Sequence, residues 1–309
     1  MIRQHRHHWG IDMQVPFGQR ELELGGKYIA ADLRDSNELL DDVAALRARM
    51  EEDGYLLIRG LYDREQVLGA RRALLERINE AGGLAPDAPL MDGVINPDKT
   101  AGGPVKQYTD TPAFRALVES PQIMGFFANF IGGDVLTFDY TWLRIVGTGG
   151  GTGAHYDVVY MGRGTKNLYT TWTPLGDITL DMGTLCLCLG SQRFEKVKQT
   201  YGQSDVDRDH HQGWFSNDPV EVVDKFGGRW ATTELQAGDA LIFGMFMMHA
   251  SLKNTTNRYR ISSDTRYQLA TDPVDERWVG ESPIAHYAWM KEPAKMVPME
   301  VARKQWGLD

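Results

Sequence analysis

At Asp134 the apolar pattern of this 309-residue chain changes period, and that change restricts the fold more than any other feature. Upstream, Leu39, Val43, Leu46 and Met50 recur at helical spacing, as do Val67, Ala70, Leu74 and Ile78, the mark of amphipathic helices. Asp35 with Glu38 reads as a capping box for the first helix, and Asp63 with Gln66 opens the second. Gly54 suits the left-handed position after the first helix, and Tyr55 to Arg59 reads as a short strand. A loop rich in Gly, Pro and Asp fills 81–105, and further helical segments fall at 112–119 and 121–131. From Asp134 the period is two. Residues 135–146, 168–175, 184–189, 240–250 and 259–269 read as strands separated by Gly, Asn and Asp. No helical pattern separates most of them, so an antiparallel sandwich or barrel is favoured over a parallel sheet.

This gives one unit over 1–309: helices over 1–133 buttress a β core over 134–270, and a C-terminal extension over 271–309 ends in a short helix, Met299 to Gln305. The polar stretch 192–229 is too long for a structureless loop in a compact domain and reads as a lid or an inserted subelement. Against 42 acidic residues stand 33 basic ones, a formal charge of −9, which argues against nucleic acid as the main partner. Cys186 and Cys188 are the two cysteines; they build no disulfide scaffold, CxxC motif or four-ligand zinc site, and fit a cytoplasmic setting. Met1 to His8 has no apolar h-region, so no signal peptide is expected. The longest apolar run, Ala240 to Met248, falls far short of the roughly 20 residues of a membrane span. No membrane partner is expected.

The sharpest chemical signal is His155-Tyr156-Asp157. In a strand, residues i and i+2 share a face, so this imidazole and carboxylate can meet one metal ion. His249 closes the apolar run that begins Gly238-Asp239-Ala240-Leu241-Ile242-Phe243. Two histidines and one carboxylate leave a face of an octahedron open, the arrangement of non-haem iron(II) oxygenases. Eight histidines also offer chance pairs, so the set gains its weight from the residues after His249. Ser251 to Asn257 is turn-rich, and Arg260-Ile261-Ser262 comes next. A turn centred on Thr255-Thr256 sets Ser262 opposite His249 with Arg260 as diagonal neighbour, about 7–8 Å away. That offset suits a dicarboxylate chelated to iron at one end and held at the other by the guanidinium fork and a hydroxyl. An ordinary hairpin with an internal ion pair fits the spacing equally well.

Taken in order, His155-x-Asp157, Gly183-Thr184-Leu185 leading to Gly190-Ser191, Gly238 to Phe243 before His249, and Arg260-x-Ser262 resemble the phytanoyl-CoA dioxygenase family. The resemblance spans roughly residues 50 to 270. It implies a mainly β fold with flanking helices: a double-stranded β-helix, or jelly-roll (cupin-like) barrel, with N-terminal helices against it. It implies His155, Asp157 and His249 as ligands of Fe(II), and Arg260 with Ser262 as the seat of the 2-oxoglutarate C5 carboxylate. Trp172 matches an aromatic lining the cosubstrate pocket, and Lys106 a cosubstrate-contacting lysine. Where the family has Pro-Gly-Ser-His, this chain has Leu189-Gly190-Ser191-Gln192, a difference that bears on loop geometry. Related halogenases replace the aspartate by a small residue, so an intact Asp157 favours oxygenation.

The implied activity is a dioxygenase that consumes 2-oxoglutarate and dioxygen, releases succinate and CO2, and hydroxylates or otherwise oxidises an aliphatic C–H of a small organic metabolite. Two other readings stand beside it: a cupin-like metal enzyme that does not use 2-oxoglutarate, and a metal-free small-molecule binding barrel. Arg260-x-Ser262 separates the first, since only a carboxylate cosubstrate needs that pair. The metal site separates the second. Among other features, the glycines from Gly147 to Gly153 lack a complete phosphate-loop pattern and read as a flexible entry to the metal strand. Arg144 is expected to face solvent, Cys186 and Cys188 to pack in the core, and Asp264 and Arg266 to pair with each other. Substrate identity and oligomeric state are left open by the sequence.

Overall fold

In the computed structural model, which describes residues 13–99, 106–286 and 296–309, the strands form two facing sheets and a separate antiparallel pair, the first two strands of the chain. In chain order they are β1 (Gln14–Phe17), β2 (Arg20–Glu23), β3 (Ile29–Ala30), β4 (Tyr55–Ile58), β5 (Val135–Thr137) and β6 (Trp142–Val146). There follow β7 (Leu168–Pro174), β8 (Leu185–Leu189), β9 (Arg229–Thr232), β10 (Ala240–Gly244), β11 (His249–Ser251) and β12 (Arg260–Leu269). The larger sheet runs β4-β10-β7-β12-β5, with β6 also on β12, and the smaller runs β11-β8-β9-β3. Pairings are antiparallel except β3 with β9. The expected jelly-roll barrel is the observed architecture.

Alternation decides which residues enter the barrel. Tyr55 and Leu57 of β4, Leu241 and Phe243 of β10, Trp172 of β7, and Leu185 and Leu187 of β8 pack together between the sheets. Their neighbours Leu56, Ile58, Ala240 and Ile242 point outward, against Val67, Ala70, Leu74 and Ile78 of the helix Arg64–Glu80. These strands are apolar on both faces because a helix covers the outer one. That helix begins as its sequence suggests, with the Asp63 carboxylate accepting from Gln66 N at 2.9 Å.

Three local expectations change. The first helix is Val43–Asp53, capped by Asp42 rather than Asp35: Asp42 Oδ1 accepts from Ala45 N, whereas Asp35 closes a tighter turn by accepting from Asn37 N. Gly54 does end it, at φ 79°. The run 135–146 breaks into β5 and β6, because Tyr140 N leaves the sheet and donates to Trp278 O at 3.0 Å. The run 240–250 also breaks. A turn closed by Met247 N donating to Gly244 O carries the chain from β10 in one sheet to β11 in the other.

The stretch 192–229 folds into short helices, including Glu195–Gln199, Val206–Asp209 and Pro219–Phe226. Val197, Tyr201, Val206, Phe215 and Val222 are buried in one cluster with Cys186, Cys188 and Trp230, so the segment packs on the smaller sheet. The helix Met299–Gln305 docks on the segment: Arg303 Nη1 donates to Glu221 Oε2 at 3.0 Å, and Arg303 also meets Asp309. Hydrogen bonding from Arg303 outweighs partial burial and holds the Glu221 carboxyl down at about 2 against an ordinary 4.5. Such a group stabilises the fold above its unfolded pKa and ceases to do so as pH falls through its folded one. We expect Glu221→Gln to remove part of the loss of melting temperature between about pH 4.5 and 2. Parallel melting-versus-pH curves for wild type and variant would show otherwise.

Candidate functional site

Two histidines face each other across a single antiparallel bridge. His155 N donates to His249 O, and His249 N to His155 O, both at 3.0 Å. Their rings lie 4.1 Å apart, centre to centre. Asp157 completes the group, but not as a strand residue. At φ −66° and ψ −27° it opens the short helix Val158–Met161, and this turn brings its carboxylate back towards both imidazoles. Asp157 Oδ1 lies 3.7 Å from Nε2 of each histidine, and the three ligand atoms lie within 4.8 Å of one another.

The surroundings leave these atoms free to bind a cation. His155 Nδ1 contacts Gly153 O at 2.9 Å, and His249 Nδ1 contacts Met247 O at 3.0 Å. A carbonyl oxygen only accepts, so each Nδ1 carries the proton and each Nε2 presents a lone pair. Burial, with His249 beside it, pushes the His155 pKa down to about 3, so that imidazole is neutral at pH 7. Burial raises the Asp157 carboxyl, but Arg266, the two histidines and the Thr170 hydroxyl outweigh it and hold it below the usual carboxylate range. Two bonds of about 2.1 Å to one ion reach at most about 4.2 Å between ligand atoms, and the 3.7 Å separations lie within that reach. The donor set therefore fits a divalent metal such as iron(II).

Arg260 forms a second feature on the larger sheet. It is 2% exposed, and among the described residues no carboxylate lies within ion-pair distance. Its Nη1 donates to Ser262 Oγ at 2.6 Å, its guanidinium lies 5.9 Å from the centre of the Trp172 ring, and its Nε has no partner. Burial lowers its pKa from 12.5 to about 10. A buried cation with an unfilled donor calls for an anion.

The hairpin expected to join His249 to Arg260 does not form. β11 pairs with β8, setting His249 opposite Leu187, while β12 lies between β6 and β7 in the other sheet. His249 and the Arg260–Ser262 pair therefore belong to facing sheets, His249 against Phe243 and Arg260 against Trp172, two rings of one buried cluster. Lys106 begins the helix Lys106–Thr109, and its side chain lies outside the described residues. Asp264 and Arg266 do not pair with each other. Asp264 accepts from Arg144 Nε at 2.8 Å, and Arg266 Nη2 donates to Asp157 Oδ2 at 3.0 Å. Arg144 is a diagonal neighbour of Asp264 on the adjacent strand, within reach of a long side chain, and Asp157 approaches Arg266 from the turn that opens Val158–Met161. Arg144, opposite Ser262 and bonded to Asp264, belongs to the inner face, and its side chain keeps 40% exposure there. The barrel is open at that point.

Several contacts around the metal ligands escape the sequence motifs. Thr170 Oγ1 donates to Asp157 Oδ2 at 2.5 Å; its place two residues before Trp172 on β7 was the available signal. The Tyr160 ring stands edge-on to His155 at 5.5 Å, and Phe243 lies 4.6 Å from His249. The inserted segment reaches the site as well: Ala154 N donates to Ser216 O at 2.8 Å. A Cβ on Gly153 would lie 2.7 Å from the Trp214 ring, so that close approach requires glycine.

Fold and site together define a double-stranded β-helix with a His-Asp-His cluster between its sheets. The phytanoyl-CoA dioxygenase (PhyH) profile matches residues 50–262, and the chain belongs to that family. It is an iron(II)- and 2-oxoglutarate-dependent dioxygenase, an oxidoreductase. The 1-deoxypentalenic acid 11-beta-hydroxylase of Streptomyces exfoliatus is 28% identical over 269 residues, covering 78% of this chain and 86% of that protein. Among solved structures, EctD from S. alaskensis superposes with a TM-score of 0.55 at 15% identity, over 93% of this chain and 94% of that one. The epimerase SnoN, in complex with Fe3+, alpha ketoglutarate and nogalamycin RO, gives 0.52 at 17% identity, over 78% and 87%. No helix among the described residues is long and apolar enough to cross a membrane.

Proposed function

We propose that His155 Nε2, Asp157 Oδ1 and His249 Nε2 hold the iron, that Arg260 and Ser262 hold the distal carboxylate of 2-oxoglutarate against the Trp172 ring, and that the enzyme hydroxylates a small organic metabolite. The observation that carries this is the pairing of two features in one barrel: three buried donors with their lone pairs free, and a buried guanidinium without a carboxylate. Iron with 2-oxoglutarate supplies the activation of dioxygen and the oxidative decarboxylation that yields succinate and CO2.

The residues of the chain do the positioning. Gly153 and Met247 carbonyls fix the tautomer and ring plane of each histidine. Thr170 and Arg266 occupy the Asp157 oxygen that faces away from the histidines. Arg260 and Ser262 set the direction of the dicarboxylate, and Trp172, Leu241 and Phe243 exclude water from one end of the barrel. The opening beside Arg144 admits the substrate. Lys106 remains a candidate cosubstrate contact. A cytoplasmic setting belongs to the same reading, supported by free, buried Cys186 and Cys188.

Hydroxylation is preferred to epimerisation because the hydroxylase relative shares 28% identity, against 17% for the epimerase. 1-Deoxypentalenic acid and other organic acids are therefore the first substrates to try. In a screen for metabolites that accelerate succinate release, we expect the productive one to gain one oxygen atom by mass. A product of unchanged mass, or one lacking two hydrogens, would contradict hydroxylation.

A further inference from the structure

The two oxygens of Asp157 have different surroundings. Oδ1 faces both histidines, whereas Oδ2 accepts from Thr170 at 2.5 Å and from Arg266 at 3.0 Å. Arg266 is 2% exposed, and Asp157 is its one carboxylate partner among the described residues. Its Nε and Nη1 have no hydrogen-bond partner. What seats the guanidinium is an aromatic face, the Trp142 ring 4.4 Å away. A desolvated cation–π contact of this kind contributes on the order of a hydrogen bond to a charged group. Trp142 is itself held by Tyr140 at 4.7 Å and Trp278 at 4.6 Å. Trp278 is fully buried and follows Arg277, which is anchored by Asp275 at 2.6 Å and by Asp207. Both Arg266 and Trp278 lie beyond the family-matched span, which ends at residue 262.

We propose that Arg266, seated on Trp142 by Trp278, is a positioning residue that withholds Oδ2 of Asp157 from the metal, so that this carboxylate offers a single oxygen. The proposal rests on the reading of Asp157 as a metal ligand. A carboxylate with both oxygens free can bind a cation through both, and would then occupy a position that the 2-oxo acid or dioxygen needs. Arg266 Nη2, together with the Thr170 hydroxyl, occupies the second oxygen and fixes the plane of the carboxylate. The C-terminal extension thereby reaches the iron site through a line of contacts from Trp278 to Trp142, Arg266 and Asp157.

Cobalt(II) tests this without turnover, because its visible absorption reports coordination number. Wild type, Arg266→Gln, Arg266→Lys, Trp278→Leu and Asp157→Ala are titrated with cobalt(II) alone, with circular dichroism to establish folding. We expect Arg266→Gln to free Oδ2 for the metal, so that the cobalt spectrum shifts towards a higher coordination number with no loss of affinity. Arg266→Lys keeps the charge but loses the planar guanidinium that stacks on Trp142, and shows the same spectral change. Trp278→Leu shifts the spectrum in the same direction by less. A wild-type spectrum in folded Arg266 variants overturns the proposal, and Arg266→Lys carries the test if Arg266→Gln does not fold. A Trp278→Leu variant that melts earlier with an unchanged spectrum overturns the aromatic seat. If Asp157→Ala binds cobalt like wild type, the metal-ligand reading itself has failed.

Discussion

Replacing His249 with alanine is expected to abolish tight iron(II) binding and, with it, succinate formation, by well more than the roughly 10–100-fold that an outer-shell substitution costs. His249 is the cleaner target of the three candidate ligands. Its Nδ1 partner is a backbone carbonyl, so the variant strands no charge, and the fold survives to be measured. Asp157→Ala should lose iron as completely, but it also leaves Arg266 buried beside no carboxylate. Removing one partner of a buried pair costs about 3–5 kcal/mol, so that variant should also melt well below wild type. Isothermal titration with iron(II) under anaerobic conditions, run beside thermal melts, separates the two outcomes. Iron affinity unchanged in His249→Ala would place the metal elsewhere.

The second large effect concerns the cosubstrate. Arg260→Ala should raise the 2-oxoglutarate concentration for half-maximal rate while leaving iron affinity near that of wild type. Truncating one partner of a buried, hydrogen-bonded charge pair costs about 2–5 kcal/mol, which corresponds to a loss of roughly 30-fold to several thousand-fold. The ligand-free protein should behave the opposite way. Without a dicarboxylate the Arg260 cation is buried with one hydroxyl partner. Its pKa falls from 12.5 to about 10, which means that holding the charge at pH 7 costs the fold on the order of 3 kcal/mol. A base with a depressed pKa destabilises the fold at all pH values below that pKa. Arg260→Ala should therefore melt no earlier than wild type when 2-oxoglutarate is absent, and should lose the stabilisation that 2-oxoglutarate gives wild type. If iron and 2-oxoglutarate requirements rise together, Arg260 is structural.

These residues also show how far the sequence could be read. The fold class was legible because alternation survives burial: Leu57 and Leu241 face inward, and Leu56 and Ile242 outward, as period two requires. The metal cluster was legible as residues but not as geometry. His155 and Asp157 were expected to share a strand face, yet Asp157 reaches the imidazoles from the first turn of a helix. The hairpin from His249 to Ser262 was a local answer to a non-local question. His249 and Arg260 lie close in sequence but pair with β8, β6 and β7, strands that no count of intervening residues can identify. The same limit hid the partners of Asp264 and Arg266. Sequence shows which residues share a face, whereas charge pairing is decided by which strand lies alongside. Gly54 and the Asp63 cap were legible because their causes lie within one turn.

The most direct measurement is an anaerobic titration of the wild-type protein with iron(II) followed by 2-oxoglutarate, then exposure to air. The geometry of His155, Asp157, His249 and Arg260 predicts a weak visible charge-transfer band that saturates with 2-oxoglutarate and succinate release once oxygen is admitted. A protein that binds iron without developing the band, and releases no succinate in air, would contradict the account.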